Sequence, residues 1–191
     1  MKLNHPALVE LLQRAYSAEK AAAFAYIGHA ASLKKSADKA AVKQIEDDEW
    51  GHRRNVLVIM QQYDIPIRRF YEIKFHVIGW FMPYFFAGKL ESGNVCEYFV
   101  MMKYFHALGI REHDEILYEM GIKEKEHEVY YLAQIKDSKW LPWFEKVFSW
   151  GKQTTANDVD MENKLPVAES DQYCKDFKAA EVEAANREAQ K

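Results

Sequence analysis

The chain has 191 residues, 49% of them hydrophobic, and a formal net charge of -3. That length and apolar content suit one domain with a full core, and the charge supplies no basic field to recruit nucleic acid. The two cysteines, Cys96 and Cys174, lie far apart without a CxxC pair, which argues against a disulfide framework or a zinc ribbon and for a reducing interior. The N-terminus (MKLNHPALVE) lacks an apolar signal core, so a cytoplasmic protein is expected.

Glycine and proline are few and helix formers abundant, which predicts an all-α class. A first helix is expected to start after Asn4-His5-Pro6, with Asn4 or His5 as cap and Pro6 in the first turn, and to run to about Leu33. A second runs from Ser36 or Asp38, either of which can cap it, to about Tyr63, where Asp64-Ile65-Pro66 stops it. Residues 67–92 mix Arg68, Arg69, Lys74 and Lys89 with many aromatics, and Glu91-Ser92-Gly93-Asn94 reads as a break. The longest apolar run, Val77 to Gly88, has twelve residues, too few to span a bilayer. A third helix is expected from about Asn94 to Leu108 and a fourth from about Arg111 to Ile135. Two antiparallel hairpins joined by a long crossover make a ferritin-like four-helix bundle over residues 1–137. Residues 138–191 form an aromatic segment, Trp140 to Trp150, and a polar tail whose last part, 175–191, is expected as a marginal helix or disorder.

Two ExxH motifs carry the chemistry: Glu49-Trp50-Gly51-His52 and Glu124-Lys125-Glu126-His127. Residues three apart share a helix face, so each motif aims a carboxylate and an imidazole at one point. A four-helix di-metal site also needs one Glu from each of the other two helices. Glu49 lies fourteen residues beyond Lys35 and Glu19 sixteen before it, which sets them at about the same height in a hairpin. Glu124 lies fourteen residues past Ile110 and Glu97 twelve before Gly109. Glu19 is the only carboxylate between Glu10 and Asp38, Glu97 the only one between Glu91 and Glu112, and both sit in apolar runs. A carboxylate buried there is costly unless an ion compensates it. The predicted ligands, which are also the predicted catalytic groups, are therefore Glu19, Glu49, His52, Glu97, Glu124 and His127. Four carboxylates balance two divalent ions, and the donor set favours two iron ions, with manganese as the substitute, over structural zinc. Glu49 and Glu124 are the expected bridges. Glu126 points about 200° away from Glu124 around the helix and is no ligand. His5, His76, His106 and His113 lack a partner at ligand spacing and read as surface or core residues. His29, Tyr26, Tyr130 and Tyr131 are candidates to support the ligands or simply to fill the core.

These residues resemble the demethoxyubiquinone hydroxylase branch of the ferritin-like superfamily, over roughly residues 5–135. Glu19 is followed by Ala21-Ala22, Tyr26 and Gly28, with His29 where that family has Gln. Glu49 to His52 is followed by Arg53 where the family has Leu, and Lys123 to His127 matches its fourth-helix run. The resemblance implies a non-haem di-iron monooxygenase of ubiquinone biosynthesis. Such an oxidoreductase uses dioxygen, an electron donor and a lipophilic, quinone-like substrate. The apolar crossover implies a peripheral membrane surface, or alternatively a homodimer, through residues 67–90. Two other readings stay open: a rubrerythrin-like peroxidase or oxidase acting on peroxide, although the paired CxxC motifs of a rubredoxin domain are missing, and a non-enzymatic iron-binding protein.

Overall fold

The computed structural model describes residues 3–73, 84–147, 174 and 177–191. Every regular element among the described residues is helical. They are α1 (Pro6–Ser32), α2 (Ser36–Gln62), α3 (Tyr84–Ala107), α4 (Asp114–Ile135), α5 (Leu141–Val147) and α6 (Ala179–Ala189). The chain divides into two compact units, Met1–Met82 with Glu188–Lys191 and Pro83–Arg187. Each contains one long helical hairpin, α1 with α2 and α3 with α4.

In the first unit, α1 begins as expected. His5 caps it, its Nδ1 accepting a hydrogen bond from the Leu8 amide at 3.2 Å, and Pro6 occupies the first turn. The start of α2 differs from expectation. Lys35 holds the cap position and no side chain there bonds the helix end, while Asp38 sits in the first turn, where a carboxylate favours the positive end of the helix dipole. Asp64, at φ 55°, ends α2, with the Ile65 amide reaching back to the Met60 carbonyl at 2.8 Å. That return bond satisfies carbonyls the helix leaves open. Buried Leu8, Leu12, Tyr26, Val42, Val56, Ile59 and Met60 supply the apolar seam.

The second unit departs from expectation at α3, which starts at Tyr84 and runs unbroken through Glu91-Ser92-Gly93-Asn94. A single interior glycine costs a helix only about 1 kcal/mol, and without a proline no backbone bond is lost. Burial of Val95, Cys96, Phe99 and Val100 just beyond it outweighs that cost at about 1.5–3 kcal/mol per large apolar side chain. At Gly88, α3 lies tight against α4: a Cβ there would stand 2.7 Å from Leu132 Cδ2. Helix α3 ends at Gly109, φ 74°, with the Gly109 amide bonded to the His106 carbonyl and the Ile110 amide to that of Phe105, both at 3.0 Å. Glycine, with no Cβ, takes this conformation at no steric cost. Helix α4 begins at Asp114, three residues later than the predicted Arg111, with Asp114 and Glu115 in its first turn.

Helix α5 packs Leu141 and Phe144 against Leu132, Phe86, Val129 and Ile135, leaving Trp140, Trp143 and Val147 exposed. The tail is helical over Ala179–Ala189, with Val182 buried.

The cysteines correct the sequence reading. Cys96 and Cys174 form a disulfide with Cα atoms 5.4 Å apart, well inside the range such a bond requires. Both are buried against Val95 and Phe99, with Met102, Tyr118 and Phe177 around them. Separation in sequence and the missing CxxC pair argue only against local pairing, and Cys174 packs directly against α3. A persistent disulfide belongs to oxidising surroundings, so the cysteines give no support to a reducing interior. No described helix is long and apolar enough to cross a membrane. Residues 74–83 of the predicted surface-seeking crossover, 67–90, lie outside the described residues, as does the aromatic stretch 148–150. At its described edge, Phe70 and Ile73 are exposed and Tyr71 is buried.

Candidate metal centre

In the first unit Glu19 comes from α1 and Glu49 and His52 from α2. The three are 2%, 0% and 4% exposed. Each offers a ligand atom, and these atoms lie within 4.8 Å of one another. His52 Nδ1 stands 3.9 Å from Glu19 Oε2, too far for a direct hydrogen bond but suited to two groups facing a common ion. The i, i+3 spacing of Glu49 and His52 puts both on the face of α2 that meets α1, as the motif predicted.

The residues beside these three candidates tie the hairpin together. Arg53 Nη1 donates to the Tyr16 carbonyl of α1 at 2.6 Å, and its guanidinium lies 3.7 Å over the Tyr16 ring. The same nitrogen donates to Glu72 Oε1 at 3.1 Å, while Lys20 Nζ donates to Glu72 Oε2 at 2.8 Å. Burial pushes the Glu72 carboxyl up, but the hydrogen bonds from Lys20 and Arg53 outweigh it and hold Glu72 below the usual carboxylate range.

The second unit brings together Glu91 from α3 and Glu124 and His127 from α4. All three are buried, and their ligand atoms again lie within 4.8 Å of one another. His127 Nδ1 is 4.0 Å from Glu124 Oε2. Asn94, one turn beyond Glu91, donates through Nδ2 to Glu91 Oε2 at 3.1 Å and to Glu124 Oε2 at 3.4 Å. It thereby spaces two carboxylates that would otherwise repel.

Five of the six predicted ligands thus lie in the two clusters, and Glu97 is the departure. Its carboxylate is half-buried and takes a hydrogen bond from Lys178 Nζ at 3.0 Å. Six residues separate it from Glu91, about 240° around the helix, so the two cannot serve the same face. The cause is the assumed break: with 91–94 read as a turn, Glu91 was excluded from the helix and the next carboxylate took its place. The polar pair Glu91 and Asn94 at i, i+3 was the signal for a functional face.

The other singled-out residues divide between site and scaffold. Tyr26 and Tyr131 are fully buried. Glu126 pairs with Lys123 at 3.0 Å, away from the cluster. Among the histidines, His5 is a cap, His106 pairs with Asp114 at 2.7 Å, and His113 is buried with its ring 4.8 Å from that of Phe105. Burial pushes His113 below the ordinary histidine range. His29 is half-buried, its ring 6.2 Å from that of Tyr26, and His76 lies outside the described residues. The chain matches no family model, no curated protein and no solved structure.

Proposed function

We propose that this chain is a dinuclear metalloprotein of ferritin-like architecture that takes two iron ions. The duplicated cluster carries the reading: each hairpin buries two carboxylates and one imidazole on facing helices. The expected fourth carboxylate is revised from Glu97 to Glu91. The donor set fits the group. Four carboxylates neutralise two divalent ions, oxygen and imidazole donors suit iron or manganese, and the only cysteines are committed to each other. Glu19, Glu49, His52, Glu91, Glu124 and His127 would hold the ions, with Glu49 and Glu124 as bridges.

When bound, such a centre supplies dioxygen-dependent oxidation of an organic substrate, with electrons from a separate donor. The chain's own part is to hold six ligands in a dry, charge-balanced core. Asn94 orients two of the carboxylates. A lipophilic, quinone-like substrate is favoured by the exposed apolar groups at Phe70 and Ile73 and at Trp140, Trp143 and Val147. Lysines beside tryptophans, as Lys139 lies 5.6 Å over the Trp140 ring, suit an anionic lipid surface. The test is iron loading under anaerobic conditions, followed by oxygen exposure. Two irons per chain and an oxidation-dependent absorption change support the reading, and absence of iron uptake defeats it.

A further inference from the structure

Glu72 lies twenty residues beyond His52 in sequence and belongs to no ligand motif. Its carboxylate nonetheless reaches the immediate neighbours of two ligands. Oε2 accepts from Lys20, next to Glu19, and Oε1 accepts from Arg53, next to His52, at 2.8 and 3.1 Å. Arg53 is only 14% exposed at its side chain and is already fixed by the Tyr16 ring and carbonyl. Glu72 therefore cross-links α1 and α2 one residue away from Glu19 and His52. Two further contacts fasten the same segment to α1 at a distance from the ligands: Gln13 Nε2 donates to the Pro66 carbonyl at 2.7 Å, and the Tyr71 hydroxyl donates to Glu10 Oε1 at 2.9 Å.

We propose that Glu72, acting through Lys20 and Arg53, is a positioning residue that fixes the spacing of the Glu19, Glu49 and His52 ligands. The inference rests on the metal-site reading above. Metal ligands are held in place by the groups around them, and loss of such a group weakens metal binding by about 10- to 100-fold. Here the device orients the two helices instead of a single ligand ring. The lone Glu72 carboxylate bridges Lys20 and Arg53 and offsets one of their two positive charges, so its removal leaves both cations without that shared partner beside the ligands.

The experiment is cobalt(II) titration of the full chain against a chelator, read by the cobalt absorption spectrum, with thermal melting of the same samples. Glu72→Gln removes the charge while keeping the shape. Glu10→Gln is the control, since it loosens the same segment at Tyr71 without touching a ligand's neighbour. The expected result is cobalt binding weakened about tenfold with an altered spectrum in Glu72→Gln, and wild-type affinity in Glu10→Gln. Wild-type affinity in Glu72→Gln, or equal weakening in both variants, overturns the proposal by reducing Glu72 to a general fastening. If Glu72→Gln does not fold, Lys20→Gln serves in its place with the same two outcomes. Wild-type protein that takes up no cobalt defeats the metal-site reading itself, and this inference with it. That result is distinct from wild-type uptake with an unaffected variant, which defeats the inference alone.

Discussion

Replacing Cys174 with serine opens a covalent loop whose ends are 78 residues apart in sequence. In the chain-entropy treatment, closing a loop of that length removes about 15 cal/mol/K from the unfolded ensemble, or about 4.5 kcal/mol at room temperature. The native side adds little to this figure. Lys178 and Glu97, which the bridge holds near each other, are 34% and 21% exposed at their side chains, and a pair that open to solvent contributes below about 1 kcal/mol. For a chain of this length each kcal/mol corresponds to roughly 2–4 °C in melting temperature. Cys174→Ser should therefore melt on the order of 10–15 °C below the wild type, and Cys96→Ser should behave alike. Both cysteines are buried, so reductant alone should act slowly on the native protein and fully after heating. Thermal unfolding followed by circular dichroism is the assay, with thiol titration in denaturant beside it. Wild-type protein purified without reductant should show no titratable thiol. Two reactive thiols, together with a serine variant that melts within about 2 °C of wild type, would refute the assignment.

Three other outcomes follow from the geometry. Glu91→Ala should cost the protein a metal ligand, whereas Glu97→Ala and Glu126→Ala should leave metal content at the wild-type level; metal analysis decides, and loss with Glu97→Ala alone would restore the original register. For His113 the sign runs from its lowered folded value: above the unfolded value of 6.5 both states are neutral, and below it the unfolded state binds the proton first. Stability should accordingly fall as pH drops from about 6.5 toward the folded value, and His113→Gln should flatten that part of a denaturant-midpoint profile. At the surface, Trp140→Glu with Trp143→Glu should abolish co-sedimentation with anionic vesicles; unchanged sedimentation would remove α5 from the lipid-facing surface.

Much of this molecule could be read from local pattern because the signals were local. Pro6 and the break at Asp64 to Pro66 bound the first hairpin closely, and each ExxH motif carries its own geometry on a single helix turn. Glu19 was identifiable because no other carboxylate competes on α1. What escaped notice depended on packing. Gly93 reads as a stop by propensity, yet the buried run from Val95 onward carries α3 through it, and with the helix extended Glu91 becomes the buried carboxylate. The Cys96–Cys174 bond depends on Cys174 packing against α3, which residue spacing does not encode. Glu72 likewise belongs to no motif, and its role appears only when the segment after α2 lies against Lys20 and Arg53.

The most direct test of the account is the metal stoichiometry of the intact chain. Protein loaded anaerobically with iron(II) and freed of excess should retain two ions per chain, with Glu49→Ala and Glu124→Ala each losing the paired centre and its spectrum. Retention of no iron, or of a single ion that survives both substitutions, would contradict the dinuclear reading.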